Sequence, residues 1–473
     1  MSARTTCGRA ARLVLAGLTW RGWADGIALL LLLALAMFFN RDALVSNRIF
    51  FENDTPAFYY PLLERMGQGM EAGVFPLWIR TIFGGFPLFA DSETGMAYPI
   101  NLLLLNNFPA WWAMVLHRTA VFTLGAWFMY AFGRSMGFRP FSAAVAAVAF
   151  AYGSFLVAQM HHTNIVNSAI WLPLVFCSIE MALRGHGRRR YQWFAVGGLA
   201  VGMACLAVHV QVVLMILLAS GSYLVYRTVT GPVNVPLVSA ALPQRFLKRL
   251  LAAHNNVWRT ILARFSALAA GAGLVAGLGL LTGAVQLLPL MELAQFSYRG
   301  MRVDYGFAAT YAMPPLGLLQ GVAPYLFKTT AGAWWTQQAT WETALYLGVP
   351  VVVLAVMGAG LARSRRGLFF VGLTIAGLLL ALGPNAPFNL HRLLWELPGF
   401  SAMRAPARFT LLVVFGAATL AGLGCHWLDS RLSRSRSVLG PVSLRGIDRA
   451  TAAVVFGFVS MVPLLLGLVT VTA

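Results

Sequence analysis

Long apolar segments separated by short polar ones run through the whole chain, and their spacing predicts its architecture. A membrane-spanning helix needs roughly 20 apolar residues to cross a hydrocarbon core about 30 Å thick. Most of the apolar segments approach that length, so we expect about eleven spans. Their predicted limits are 24–39, 111–133, 141–159, 168–183, 192–208, 212–226, 265–289, 344–362, 368–382, 409–428 and 450–472. The pattern therefore predicts an all-α polytopic membrane protein.

One apolar stretch, 192–226, is too long for a single crossing. His209 and Gln211 place polar side chains near its middle. A polar side chain inside hydrocarbon is costly, so the chain is expected to turn at this point. We therefore predict two short helices joined by a tight turn at the outer surface.

Composition supports this class and excludes a soluble globular protein. Apolar residues make up 59% of the 473 residues and charged residues only 11%, and the mean hydropathy is +0.72. Soluble domains carry about 25% charged residues. No segment outside the spans is large enough for a soluble domain, so residues 1–473 are interpreted as a single integral membrane domain.

The net charge of +20 reflects the orientation of the spans. Lys and Arg concentrate in alternate loops, beginning with residues 1–23 and including the basic segment 227–264. Cytoplasmic loops carry such an excess, so the N-terminus is predicted to be cytoplasmic. The charge then indicates contact with anionic membrane lipids and argues against nucleic-acid binding. The loops 40–110, 290–343 and 383–408 are assigned to the extracytoplasmic side.

Both ends of the chain have two interpretations. Ala34-Leu35-Ala36 is similar to a signal-peptidase site, but the apolar run continues through Met37-Phe38-Phe39, which favours an uncleaved signal anchor. The sequence stops at Ala473, directly after an apolar span. Either the protein ends at the outer face or this chain is part of a longer one.

The sequence carries no signature of a disulfide, metal or nucleotide site. Its four cysteines are Cys7, Cys177, Cys205 and Cys425. None lies in a predicted outer loop, so no disulfide framework is expected. His161 and His162 are adjacent, whereas two metal ligands on one helical face need the i, i+4 spacing. A phosphate-binding glycine loop and a dinucleotide fingerprint are also absent, and we therefore expect no cofactor.

The predicted outer loops separate acids from cations. The acids of the first loop are Asp42, Glu52, Asp54, Glu64, Glu71, Asp91 and Glu93. The cations of the later loops include Arg299, Arg302, Arg404 and Arg408. The stretch Tyr59–Met70 is amphipathic and is expected to lie on the bilayer surface as an interfacial helix. A first loop this rich in acids, aromatics, glycine and proline is more typical of a site than of a connector.

This arrangement suits transfer of a sugar from a polyprenyl-phosphate donor. An acceptor hydroxyl loses a proton as it attacks the anomeric carbon, and a carboxylate at the membrane edge can act as the base. The transition state is similar to an oxocarbenium ion. Arg or Lys at headgroup depth neutralises the leaving lipid phosphate, and aromatic rings pack against sugars. This chemistry requires neither a nucleotide nor a metal.

Three segments, taken in order, resemble the YfhO-type bacterial membrane proteins. They are G-V-F-P-L-W-I-R-T-I-F-G-G-F-P-L-F-A-D followed by Y-P-I-N-L, then H-T-N-I-V-N-S-A-I-W-L-P-L, then L-P-G-F-S-A-M-R-A-P-A-R-F. The resemblance covers about residues 50–430. The family is placed among the GT-C glycosyltransferases, whose catalytic Asp lies in the first extracytoplasmic loop. It implies a GT-C-like bundle in the bacterial cytoplasmic membrane that transfers sugar from an undecaprenyl-phosphate carrier to a cell-envelope glycan or lipid.

The resemblance also implies roles for individual acids. Asp54 falls at the position of the catalytic Asp. The loop begins E-N-D-T-P instead of with the Gly-Asp pair of the family, so Glu52 is the alternative. Asp91 and Glu93 are expected to shape the loop or to bind the acceptor. The plainer interpretation of each acid is that of a solvated loop residue.

The cations and histidines have two interpretations each. The candidates for donor-phosphate binding are Arg404, Arg408, Arg299 and Arg302. Arginines at a membrane edge also serve as interfacial anchors that reach the headgroups. His161 and His162 are candidates for orienting the base or the donor, although histidines at helix ends are commonly satisfied by local hydrogen bonds.

Two other functions are alternatives to sugar transfer. A lipid or glycolipid transporter or flippase is expected to show internal repeats, broken helices and ionisable residues near the midplane. The sequence shows no internal repeat, and its charges lie at the edges of the spans. A non-catalytic envelope-assembly protein is the other alternative.

Overall fold

A computed structural model describes residues 22–46, 48–50, 54–231, 256–298, 300, 302–323, 340–361 and 364–436. About 76% of this structure is helical and the described residues form no β-strand, which confirms the all-α class. The predicted span 450–472, residues 1–21 and most of the basic segment 227–264 lie outside the described residues. Glu52 and Arg299 also lie outside them, so neither is placed in the site.

Among the described residues, eleven α-helices lie in the first half of the chain, and most of the connections between them are short. In order they are α1 (Trp23–Phe39), α2 (Arg41–Ser46), α3 (Tyr60–Glu71), α4 (Pro99–Leu105), α5 (Ala110–Ser135), α6 (Pro140–Ala151), α7 (Ser154–Ala158), α8 (Thr163–Ala169), α9 (Leu172–Arg184), α10 (Arg188–Leu206) and α11 (Val210–Thr230). A π-turn, Thr55–Tyr59, leads into α3, and a 3₁₀ turn, Leu88–Ala90, precedes α4. Proline stands in the first turn of α3, α4, α6 and α9, where its missing N–H has no helical partner.

The second half contains longer outer connections. Its described helices are α12 (Asn256–Ala272), α13 (Leu278–Gln295), α14 (Tyr305–Ala308), α15 (Thr340–Thr343), α16 (Val349–Leu361), α17 (Arg365–Leu382), α18 (Leu390–Trp395) and α19 (Thr410–Arg436). A π-turn, Gly273–Gly277, joins α12 to α13, and a 3₁₀ turn, Pro406–Phe409, leads into α19. The short helices α14, α15 and α18 lie in the predicted outer loops.

Within the described residues, six helical segments are long and apolar enough to cross a membrane. They are Pro140–Ala158, Thr163–Arg184, Val210–Thr230, Arg264–Gln295, Arg365–Asn385 and Pro406–Arg431. Two shorter apolar helices, Trp23–Phe39 and Val349–Gly360, coincide with predicted spans. Helices α5 and α10 coincide with two more, although neither belongs to the group of six. The chain is thus a membrane protein by its helices, and the predicted count of eleven spans is not confirmed.

The predicted break in the apolar stretch 192–226 is confirmed. Helix α10 ends at Leu206 and α11 begins at Val210. Between them, Val208 has a φ of 67°, a left-handed conformation that a β-branched residue rarely adopts. The His209 side chain caps α11, since its Nδ1 accepts a hydrogen bond from the Val212 amide at 3.3 Å. His209, the polar residue that interrupts the apolar stretch, therefore also caps the start of α11.

The helices pack through aromatic and small residues. The ring of Phe176 on α9 lies 4.8 Å, between centroids, from both Tyr223 on α11 and Phe415 on α19. Helices α16 and α19 approach so closely that a Cβ on Gly358 would stand 2.0 Å from the Leu420 carbonyl oxygen. Small residues permit this close packing between membrane helices, where van der Waals contact replaces the hydrophobic effect. Helix α19 thereby contacts both α9 and α16.

Basic residues of the predicted inner loops meet at one end of the bundle. Glu180, fully buried in the last turns of α9, pairs with Arg184 at 3.0 Å and with Arg227 on α11. Arg366, at the start of α17, donates to the Met136 carbonyl oxygen at 3.4 Å, just beyond α5. The predicted outer loops connect the same helices at the opposite end, where the candidate site residues lie.

The amphipathic stretch Tyr59–Met70 is helical, but protein covers its apolar face. Leu62, Leu63 and Met66 of α3 are buried in a small core that the rest of the first loop and the start of α5 complete. The expectation that this apolar face contacts the bilayer surface is corrected, since it contacts protein. The apolar face packs inward because the remainder of the loop folds over it.

Candidate functional site

Asp54 lies in the first predicted outer loop, and its carboxylate lies beside His162. It immediately precedes the π-turn that leads into α3. Its side chain is 61% exposed, and Oδ2 lies 3.3 Å from His162 Nε2. His162 lies between α7 and α8, far from Asp54 in the sequence. The contact joins the first predicted outer loop to the segment between α7 and α8 and leaves the carboxylate exposed.

A continuous series of polar contacts leads from Asp54 into the protein. His162 Nδ1 lies 2.6 Å from Gln159 Oε1, and Gln159 Nε2 donates to Glu342 Oε2 at 2.9 Å. Arg408 pairs with Glu342 at two points, since its Nε donates to Oε2 at 2.9 Å and its Nη2 to Oε1 at 2.5 Å. The five residues Asp54, His162, Gln159, Glu342 and Arg408 are named the polar chain.

Arg408 is the cation at the inner end of the polar chain, and Glu342 neutralises it. Arg408 Nη1 also lies 3.2 Å from His209 Nε2 and donates to Gln211 Oε1 at 3.3 Å. The side chains of Arg408 and Glu342 are 12% and 5% exposed. Burial by itself raises the pKa of Glu342, but the hydrogen bonds and charge of Arg408 outweigh it and hold that pKa below its ordinary value. Glu342 is therefore ionised at neutral pH.

A second set of contacts fixes the turn that carries Asp54. Glu93 Oε2 accepts hydrogen bonds from the Tyr59 hydroxyl and from Asn164 Nδ2, both at 2.7 Å. Tyr59 belongs to the π-turn directly after Asp54, and burial raises its pKa well above the ordinary value, so the hydroxyl stays protonated and donates. Glu93, Tyr59 and Asn164 are named the Glu93 group. They tie the first outer loop to α8.

Burial raises the pKa values of both Asp91 and Glu93. For Glu93 the pKa rises to about 7, because the charges of Asp91 and Asp54 reinforce burial and the Tyr59 hydrogen bond only partly opposes it. For Asp91 it rises to about 6, although backbone amides that include that of Glu93, at 3.1 Å, donate to the carboxylate. These amide contacts make Asp91 a turn-forming residue of the loop. Glu93 exchanges a proton near neutral pH.

Of the two adjacent histidines, His162 is the one that contacts Asp54. The ring centroids of His161 and His162 are 4.0 Å apart, and the ring of His161 lies edge to face with Trp341 at 5.5 Å. Burial lowers the pKa of His162 to about 4, and the neighbouring His161 adds to this while Glu342 and Asp54 oppose it. His162 is therefore neutral at neutral pH, with one ring nitrogen that donates and one that accepts.

Arg404 lies beside the polar chain, between two aromatic rings. Its guanidinium carbon is 5.8 Å from the ring centroid of Phe307 and 5.6 Å from that of Tyr311. Gln211, which contacts Arg408, also donates to the Arg404 carbonyl oxygen at 2.9 Å. None of the ion pairs formed within the described residues includes Arg404.

The backbone between the two arginines is held in an unusual conformation. Ala405 is completely buried and has a φ of 61°. Tyr311 has a φ of 60°, and its carbonyl oxygen accepts a hydrogen bond from the Ala407 amide at 3.4 Å. A left-handed non-glycine residue costs about 1–3 kcal/mol and persists only where its surroundings impose it. The turn at Ala405 separates Arg404 from Arg408, which begins the approach to α19.

Arg302 belongs to a different group of contacts. It forms an ion pair with Glu396, in which both side chains are 49% exposed. Its guanidinium carbon also lies 3.7 Å from the ring centroid of Trp395 on α18. The structure therefore brings Asp54, His162 and Arg408 into one series of contacts but does not join Arg302 to them.

Several residues of the site were not found by sequence reasoning. Glu342 ends the segment W-W-T-Q-Q-A-T-W-E of the predicted outer loop 290–343 and is not among the residues predicted from the sequence. Gln159, Tyr59 and Asn164 carry no signal, because such residues are common in any loop. His209 was recognised only as a break between helices. The one signal in the sequence that could have identified Glu342 is its position as a single acid beside a cluster of aromatic residues.

No protein-family model, curated protein or solved structure matches this chain. Within the described ranges, no three His, Cys, Asp or Glu side chains are grouped to hold a metal ion. The site consists of an exposed carboxylate beside a neutral imidazole, a buried carboxyl group with a raised pKa, and two arginines at one end of a membrane bundle. Such a set can take a proton from a hydroxyl group and stabilise a leaving anion.

Proposed function

We propose that the protein is a membrane glycosyltransferase of the GT-C type. It transfers a sugar from a polyprenyl-phosphate donor to a cell-envelope glycan or lipid acceptor, at the extracytoplasmic face of the bacterial cytoplasmic membrane. The observation that supports this most strongly is the convergence of Asp54, His162, Arg404 and Arg408 at one end of the bundle. A base and a cation held together at the membrane edge meet the needs of transfer from a lipid phosphate.

Asp54 is the base in this proposal. The acceptor O–H bond breaks and the proton passes to the Asp54 carboxylate, while the acceptor oxygen bonds to the anomeric carbon. The bond from that carbon to the phosphate oxygen breaks, and its electron pair leaves with the lipid phosphate. The 61% exposure of Asp54 lets an acceptor reach it. Asp91 and the Glu93 group hold the loop that carries it.

Arg404 and Arg408 have different roles in this proposal, although the sequence predicts donor-phosphate binding for both. Arg408 already pairs at two points with the buried Glu342, so a phosphate gains little from it without displacing that carboxylate. Within the described residues no acid pairs with Arg404, whose guanidinium carbon lies near the rings of Phe307 and Tyr311. We therefore assign the leaving phosphate to Arg404, with the aromatic rings beside it available to a sugar or lipid chain.

The test compares sugar transfer by the wild type and by Asp54→Asn. The full-length protein in nanodiscs is supplied with a panel of radiolabelled undecaprenyl-phosphate hexoses and a membrane acceptor extract, and label in the acceptor fraction is counted. Asp54→Asn is expected to lower transfer by about 10²–10⁴-fold, because the amide cannot accept the proton. Asp42→Asn is the matched control, since Asp42 is an acid of the same loop that is 80% exposed and paired with Arg41.

Two outcomes contradict the proposal. Undiminished transfer by Asp54→Asn removes Asp54 as the base. Absence of transfer by the wild type, together with movement of the labelled lipid across the bilayer, favours the flippase alternative.

A further inference from the structure

We propose that Asp54 and His162 form a proton-sharing pair in which His162 Nε2 is the proton acceptor. Gln159 and Glu342 are the positioning residues that set this arrangement. Its role in sugar transfer rests on the proposed function, whereas the arrangement itself follows from the hydrogen-bonding chemistry of four side chains.

Glu342 can only accept hydrogen bonds. Arg408 donates to both of its oxygens, and this pairing keeps the carboxylate ionised. An ionised carboxylate has no hydrogen to donate. The backbone carbonyl oxygen of Trp341, which lies nearby, is likewise an acceptor alone.

These two acceptors determine which way the Gln159 amide faces. The amide nitrogen of Gln159 lies 2.9 Å from Glu342 Oε2 and 3.3 Å from the Trp341 carbonyl oxygen. Only the NH₂ group can satisfy two acceptors. The amide oxygen must therefore point the other way, toward His162.

The orientation of Gln159 in turn determines the tautomer of His162. Gln159 Oε1 lies 2.6 Å from Nδ1, so Nδ1 must carry the hydrogen. In a neutral imidazole the other nitrogen then carries the lone pair. The charged and titratable groups that act on His162 are His161, Glu342, Arg408 and Asp54. Burial, His161 and Arg408 lower the pKa of His162 and outweigh Glu342 and Asp54, which raise it, so the ring is neutral at neutral pH.

The lone pair of His162 Nε2 faces a carboxylate. Nε2 lies 3.3 Å from Asp54 Oδ2. Two hydrogen-bond acceptors at this distance can hold one proton between them. The position between Nε2 and Oδ2 holds no proton until Asp54 takes one from the hydroxyl group of the molecule that receives the sugar. The proton then moves from Asp54 to Nε2, which restores the carboxylate and gives an imidazolium that later releases the proton to water.

The opposite orientation of Gln159 would remove this function. Its NH₂ would face Nδ1, the hydrogen would move to Nε2, and Nε2 would already donate to Asp54. The pair would then have no vacant place for a substrate proton. Glu342 prevents this arrangement because it accepts and never donates.

The test is ¹⁵N NMR of the full-length protein, labelled at histidine, in nanodiscs at about pH 7. The chemical shifts of the two ring nitrogens report which one carries the hydrogen, and His162→Asn identifies the His162 signals. The wild type is expected to show hydrogen on Nδ1. In Glu342→Gln the new amide can donate to Gln159 Oε1, so Gln159 can turn, and we expect Nδ1–H to be lost in favour of Nε2–H. Glu396→Gln, an equivalent change at the exposed pair with Arg302, should leave the signals unchanged.

The wild-type spectrum decides the matter even if Glu342→Gln does not fold. Hydrogen on Nε2 in the wild type overturns the proposal, and so does an unchanged tautomer in folded Glu342→Gln. Sugar transfer measured on the same samples separates two failures. If the wild type transfers sugar but carries the hydrogen on Nε2 of His162, the proton-sharing pair alone is overturned. If it carries the hydrogen on Nδ1 but transfers no sugar, the proposed function is overturned and the pair is supported.

Discussion

The Glu342–Arg408 pair is expected to contribute strongly to stability, whereas the Arg302–Glu396 pair is expected to contribute little. The first pair is 5% and 12% exposed, and both members of the second are 49% exposed. Removing one partner of a buried pair leaves an uncompensated charge and costs about 3–5 kcal/mol. An exposed pair contributes about 0–1 kcal/mol, because water and salt screen it.

The contacts of each single variant support this magnitude. Arg408→Gln deprives Glu342 of two charge-assisted hydrogen bonds, each worth about 1.5–3 kcal/mol, and leaves it Gln159 as a donor. Glu342→Gln leaves Arg408 with its contacts to His209 and Gln211. The double variant leaves neither charge unpaired, so it should cost less than the sum of the single variants. We expect a coupling energy of about 2–3 kcal/mol.

The assay is a double-mutant cycle on the full-length protein in detergent, in a Cys7→Ser background. Unfolding exposes the buried thiols Cys177, Cys205 and Cys425, and a maleimide dye reports their exposure. The same cycle on Arg302 and Glu396 is the matched control. A coupling below about 0.5 kcal/mol for the buried pair, or equal coupling for both pairs, would refute the reasoning.

Two further predictions concern helix packing and pH dependence. Gly358→Ala is expected to lose about 1–3 kcal/mol in the same thiol assay, because its Cβ would stand 2.0 Å from the Leu420 carbonyl oxygen and force α16 away from α19. Gly360→Ala on the same helix meets nothing within 4 Å and should be neutral, so equal losses would contradict the packing argument. The pKa of Glu93 is raised from 4.5 to about 7 on folding, so the folded state binds more protons within that window and stability falls as pH rises through it. Glu93→Gln should flatten this fall in unfolding midpoints measured across the window, and an unchanged slope would count against the raised pKa.

The sequence by itself determined the class of the protein and the end of the bundle at which its polar groups lie. Hydropathy and charge are local properties, so they predict helices, breaks and the grouping of loops without knowledge of any distant contact. The break at His209 is an example, since a polar residue in an apolar stretch is visible in the sequence alone. The grouping of Asp54, His162 and Arg408 at one end follows from the alternation of the helices.

Only the tertiary structure decided which of these groups touch. The partner of Arg408 is Glu342, and Gln159 carries the contact on to His162, although nothing in the local sequence of either residue indicates the other. The apolar face of α3 packs inward for the same reason, because the segment that covers it comes later in the chain. Pairing between distant loops depends on how all the helices pack together, and no local pattern of hydrophobic and charged residues encodes that packing.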